Sequence, residues 1–218
     1  MASAEQTATA ATAAPLHVLD RQGGLDRHAA EVAVADLLRA LGRDPRSAHL
    51  GDTPRRVAAA FAELLTPHEF EFTTFPNDRS YDGVVLVTGI RFHSLCAHHL
   101  LPFEGVAHIG YLPGERLVGL SKLARVLEYF ARDLQVQEQL TADVADWLDD
   151  RLAPRGVGVV LEARHLCMSL RGVRAGGART VTTALLGELR DDRVARREFL
   201  DRVPTRGVGS GRVDGWEE

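Results

Sequence analysis

At 218 residues and 45% hydrophobic content, the chain suits one globular domain with an N-terminal extension, or a domain plus a small subdomain. Its formal net charge of −4 sets up no global positive field, so nucleic acid is not favoured and any basic chemistry has to be local. No run approaches the roughly 18 apolar residues of a membrane span, and the Ala- and Thr-rich stretch MASAEQTATAATAAP lacks the basic and apolar regions of a secretory signal, which points to a cytoplasmic protein.

In chain order, residues 1–18 read as a disordered tail. Leu25 to Leu41 reads as a helix, with Ala30, Val34, Leu37, Leu38 and Leu41 on one buried face. A second helix is expected to start with Thr53 as N-cap and Pro54 at its first position. Val57, Phe61, Leu64 and Leu65 form its apolar stripe. Residues 66–81 are polar and irregular and read as a surface loop. From Gly83 the pattern turns β-rich. VVLVTGIRFHSLC and GVAHIGYLP make two strands. Two helices follow. Ser121 is placed to cap the first, where Leu123, Val126, Leu127 and Phe130 share a face. In the second, Val136, Leu140, Val144, Leu148 and Leu152 recur at helical spacing. GVGVVLEARHLCMSLRG and ARTVTTALLG read as two more strands, and REFL as a last short helix. The order strand, strand, helix, helix, strand, strand predicts an α+β fold with an antiparallel sheet covered on one face. Pairing of open edges in an oligomer would close such a sheet into a barrel.

The strongest chemical signal is Cys96-Ala97-His98-His99 together with His165-Leu166-Cys167. These use both cysteines of the chain, each within two residues of a histidine. Zinc takes thiolate and imidazole ligands, and its catalytic sites commonly pair three protein ligands with a water. One turn can bring Cys96 and His99 to a metal. Cys167 falls on a predicted strand, where it would share a face with His165. Either half alone is as well explained by small buried hydrophobes and incidental surface histidines. A disulfide is possible on count, but the flanking histidines favour metal. With Cys96, His99 and Cys167 as ligands, His98 and His165 are free to move protons. Alternatively, His98 completes a closed, structural four-ligand site.

A second signal lies at a helix start. Lys122 and Arg125 are three apart and oppose the helix dipole there, unless an anion sits between them. Arg171 is a further candidate for that anion. An ordinary solvated basic face explains the spacing equally well. Gln137 and Glu138 open the next helix. A carboxylate there can accept from N1–H and the 2-amino group of guanine, or merely suit the dipole.

The stretches FHSLCAHHLLPFEG, GYLPGERLVGLSKLARVLEYFA, QVQEQLT, LEARHLCMSLRGV and TVTTALLG together resemble GTP cyclohydrolase I, from about Asp52 to Leu200 and in that family's order. The resemblance implies a tunnelling fold, with residues 19–80 as an N-terminal helical region, 81–204 as the catalytic domain and 205–218 as a mobile tail. It implies a homodecamer with active sites at subunit interfaces. It also implies hydrolysis and ring rearrangement of GTP to 7,8-dihydroneopterin triphosphate and formate, with a zinc-activated water attacking C8 of guanine. Carried over by motif, Cys96, His99 and Cys167 hold Zn2+, and His98 and His165 are the acid–base histidines. Ser121, Lys122, Arg125 and Arg171 bind the triphosphate. Glu138 anchors guanine, assisted by Gln137. The sequence departs from the family where Ala97 replaces a usual Glu, where Gln139 replaces a usual Arg, and at Ala178 and Arg179. These departures keep one alternative open, a diverged paralogue that acts on a related purine or pterin or stops at the ring-opened formamide. The four-ligand site that His98 could complete keeps another open, a non-catalytic nucleotide-binding protein with structural zinc.

Overall fold

A computed structural model describes residues 24–204. The expected tails at 1–18 and 205–218 lie outside the described residues.

Two helices come first, α1 (Arg27–Ala40) and α2 (Thr53–Leu64). The Asp26 carboxylate accepts from the Ala29 N–H and caps α1. The N-cap of α2 is Asp52, one residue earlier than expected, and Thr53 is already helical. The two helices pack chiefly on one another. Within one chain, the stripe predicted for α1 is therefore not a buried face: α1 has no buried residue, and Leu37 and Leu41 are 56% and 65% exposed.

The segment read as a loop holds a short strand, β1 (Thr74–Pro76), which pairs antiparallel with β4 (Arg116–Val118). Its aromatic residues pack on the helices that cover the sheet. Phe72 sits edge-on to Trp147 at 4.7 Å, and Phe70 meets both Trp147 and Tyr129.

The sheet is built from β2 (Val85–Cys96), β3 (Pro102–Leu112), β5 (Leu134–Gln135), β6 (Gly156–His165) and β7 (Thr180–Gly187), in the order β5-β2-β3-β6-β7. The four long strands are antiparallel, as expected. The unpredicted two-residue β5 adds a parallel pairing to β2 at one edge. Helices α3 (Leu120–Ala131) and α4 (Gln137–Leu152) cover one face. Alternation along β3 and β6 supplies the core beneath them. Phe103, Ala107, Ile109, Tyr111, Val157, Val159, Leu161 and Ala163 all point that way and are buried.

The other face is not bare. The residues of opposite parity, Gly110, Leu112, Gly158 and Val160, meet a second cluster around Leu189 and Phe199. That cluster comes from α6 (Glu188–Asp191) and α7 (Arg193–Arg202). The REFL helix is thus the second half of a ten-residue helix that packs across the sheet's far side. Its N-cap is Asp192, whose carboxylate accepts from the Val194 and Ala195 N–H groups.

Candidate metal and catalytic site

The hairpin between β2 and β3 builds the first half of the site. β2 ends at Cys96, on the parity of Phe92 and Ser94, so its thiol faces the helix-covered core and is 5% exposed. The chain then turns back on the same residue. His99 and Leu100 both donate their N–H groups to the Cys96 carbonyl. Leu100 takes a positive φ of 54° to complete the turn. Ala97 donates to the Gln135 carbonyl, which ties this loop to β5. The result places His99 Nδ1 3.8 Å from Cys96 Sγ.

The second half comes from the end of β6, and here the structure corrects the expectation. His165 is the last residue of the strand, but Cys167 is not on it. Cys167 lies in a helical turn, α5 (Leu166–Ser169). The ladder runs out for a local reason. Phe103↔His165 is the final β3–β6 pair, and the preceding residue, Pro102, has no N–H to offer. The turn carries Cys167 to the hairpin, where it is 9% exposed.

Cys96, His99 and Cys167 form one group, with ligand atoms all within 4.8 Å of one another. Tetrahedral zinc with Zn–S near 2.3 Å and Zn–N near 2.1 Å needs ligand atoms about 3.5–3.8 Å apart. The Cys96–His99 distance of 3.8 Å meets this. The donor chemistry fits as well. Neither cysteine is in a disulfide. Burial, and then the neighbouring Cys96 thiol, push the Cys167 thiol up, so two adjacent thiolates call for a cation between them. His98 stands beside the group, with Nδ1 4.0 Å from Cys96 Sγ and its ring edge-on to His99, but it is not one of the three converging donors.

His165 is held from two sides. The ring of Phe103, its cross-strand partner, stacks on it at 4.6 Å with planes 3° apart. Its Nε2 is 2.8 Å from Gln137 Oε1. Burial lowers the His165 pKa, and the nearby Glu138 carboxylate acts in the opposite direction.

The remaining expected residues divide into two groups. Glu138 is exposed in the first turn of α4, on the His165 side. Ser121, Lys122 and Arg125 occupy the first two turns of α3. The cap there is Gly119 and not Ser121, because Gly119 donates to the Thr73 carbonyl beside the β1–β4 pair and the helix begins directly after it. Lys122, Arg125 and Arg171 have no carboxylate partner among the described residues, although Arg171 is close enough to lower the Cys167 pKa. Gln137 departs from expectation. It is 1% exposed, and its amide nitrogen lies within hydrogen-bond distance of the Leu161 and Thr180 carbonyls and of Thr182 Oγ1. That burial does not suit contact with a ligand. Phe103 was not among the expected site residues, since only the β3–β6 register reveals it.

Arg179, one of the departures, forms an ion pair with Glu162 on the sheet face away from α3 and α4. Ala97 and Gln139 displace none of the groups just described.

Comparison with known proteins gives concordant results. The family model described as GTP cyclohydrolase I matches residues 30–204. The GTP cyclohydrolase 1 of Mycobacteroides abscessus is 49% identical over 183 residues, covering 81% of this chain and 89% of that relative. That of Thermobifida fusca is 48% identical over 187 residues, covering 83% and 89%. That of Aquifex aeolicus is 46% identical over 179 residues, covering 82% and 97%. Among solved structures, an archaeosine synthase QueF-Like in the apo form aligns over 48% of this chain with a TM-score of 0.41 and 14% identity, a likeness too slight to build on.

Proposed function

The chain belongs to the GTP cyclohydrolase I family, and on that premise we propose that it hydrolyses GTP to formate and 7,8-dihydroneopterin triphosphate. The observation that carries this reading is the convergence of Cys96, His99 and Cys167, from two distant segments, beside His165.

Cys96, His99 and Cys167 would hold Zn2+. When bound, zinc supplies a Lewis acid that brings the pKa of water to about 7, which makes a nucleophile available at neutral pH. The rest is done by the chain's own groups. The Glu138 carboxylate accepts from N1–H and the 2-amino group of guanine, a donor pair that adenine lacks. Lys122, Arg125 and Arg171 neutralise the triphosphate, with the Ser121 hydroxyl nearby. The start of α3 suits this role, because Lys122 in its first turn opposes the dipole until an anion arrives. His165 and His98 pass protons to N7 and to the leaving amines as C8 is hydrolysed twice and lost as formate. The ribose then rearranges and recloses on the exposed amines.

The active unit is a homo-oligomer, a decamer by family likeness, with sites completed at subunit contacts. The exposed Leu37 and Leu41 on α1 and Leu170 and Val173 beside the metal loop support this. Two unpaired thiols support a reducing compartment, the cytoplasm. No helix of the described residues is long and apolar enough to cross a membrane.

Zinc-loaded, assembled protein incubated with GTP is expected to release formate and yield a fluorescent pterin on oxidation. Absence of both from a metal-replete sample would overturn the reading. The departures at Ala97, Gln139 and Arg179 favour a second reading, in which turnover stops at the ring-opened formamide. Mass spectrometry of the same reaction separates the two.

A further inference from the structure

Gln137 is the most constrained polar side chain near the site. It opens α4 yet is fully buried, and its amide nitrogen lies 3.2 Å from the Leu161 carbonyl, 3.0 Å from the Thr180 carbonyl and 3.1 Å from Thr182 Oγ1. Two of these neighbours are carbonyls, which only accept. Flipping the amide would set its oxygen against both, so the network itself fixes which end is nitrogen. Thr141 reinforces the arrangement. Its hydroxyl is 2.7 Å from the Gln137 carbonyl and 2.6 Å from Thr182 Oγ1, which pins the start of α4 to β7.

With the nitrogen end fixed, Oε1 is the atom that meets His165 Nε2 at 2.8 Å. An amide oxygen only accepts, so His165 Nε2 must carry the hydrogen. A neutral imidazole has one N–H, and its lone pair is then at Nδ1. Phe103, stacked on the ring, keeps the plane from rotating out of this bond.

We propose that Gln137 is a positioning residue: its amide oxygen holds His165 as the Nε2–H tautomer, so that Nδ1 is the nitrogen that exchanges protons with the substrate. The tautomer follows from the hydrogen bonds alone, whereas the proton exchange rests on the function proposed above. This assigns Gln137 to His165 and not to guanine.

The test has two arms. In zinc-loaded protein labelled with ring-15N histidine, solid-state NMR under conditions where histidine is neutral should show His165 with its proton on Nε2. The signal is assigned by its absence from His165→Asn. A proton on Nδ1 in the wild type would overturn the proposal, and this arm needs neither substrate nor any variant of Gln137. In the second arm, Gln137→Met is expected to lower kcat about 10- to 100-fold, as loss of an orienting partner typically does, with KM for GTP within about twofold of wild type. Gln137→Glu keeps an acceptor oxygen toward Nε2, but its other oxygen faces the Leu161 and Thr180 carbonyls and has to carry a proton; as the neutral acid it is expected to keep the tautomer and recover part of kcat. A raised KM with unchanged kcat in both variants would place Gln137 on the substrate and contradict the proposal. Because the spectrum is read without GTP, its failure is distinguishable from failure of the enzyme to use GTP.

Discussion

Cys96 and Cys167 are 5% and 9% exposed, and burial and mutual repulsion both raise the cost of ionising the second thiol. Removing either should therefore remove the three-donor group that could hold a cation. Cys96→Ser and Cys167→Ser are expected to lose bound zinc, measured as metal per chain, and to lose formate release, while far-UV circular dichroism stays near wild type. His108 offers a prediction away from the metal. It is 4% exposed, on the sheet face opposite α3 and α4, and its Nδ1 has no hydrogen-bond partner among the described residues. Burial lowers its pKa, with Glu162 opposing. Its folded pKa lies below the unfolded value of about 6.5, so below that pH the unfolded chain binds a proton that the native state refuses. Stability should fall as pH drops through that region, and His108→Gln should flatten this part of the Tm-versus-pH curve. A wild-type curve that rises toward acid would contradict the assignment. At this scale the Cys96, His99 and Cys167 group was legible in the sequence, because each cysteine lies within two residues of a histidine, whereas the spacing of Lys122 and Arg125 is equally that of a solvated face. The partners of His165 were not, because Phe103 and Gln137 reach it only through the register of β3 on β6 and the seating of α4 on the sheet.

The elements that were read came in the right order; the errors are boundaries set by tertiary contacts, and the short strands β1, β4 and β5, which exist only through their partners. Cys167 left its strand because β3 has no further N–H to pair. Ser121 lost the cap because the β1–β4 pair fixed the helix start at Gly119. Four letters, REFL, marked α7, but its ten residues gain their stability from the sheet beneath them. Phe199 is fully buried against Gly158, where an added Cβ would come within 2.6, 2.7 and 2.9 Å of three ring atoms. Gly158→Ala is accordingly expected to cost about 1–3 kcal/mol in urea unfolding, as overpacking of a tight core does. Phe199→Leu vacates part of that space, so the same glycine substitution should cost less in that background. Equal costs in both backgrounds would mean that α7 does not pack as described.

For the whole molecule, the covered face of the sheet forms a core that one chain can bury. The α1–α2 hairpin shares little of that core, and leaves Val32, Leu37 and Leu41 about half exposed or more. The hydrophobic stripe on α1 was visible in the sequence, but a single chain's periodicity cannot say whose surface it meets. Sedimentation at micromolar concentration is expected to give a mass many times the 23.8 kDa of one chain. Leu37→Glu combined with Leu41→Glu should shift it downward. A monomer in the wild type would contradict sites completed between subunits.

The proposed reaction removes C8 of guanine by two successive hydrolyses. Guanine C8 carries no oxygen, so both oxygens of the released formate have to come from solvent. The direct measurement is the mass of formate formed from GTP in 18O-water by the zinc-loaded protein. The formate is expected to carry two labels, in a one-to-one ratio with the pterin. A product that retains C8 with a single label, or no formate at all, would contradict the proposed reaction.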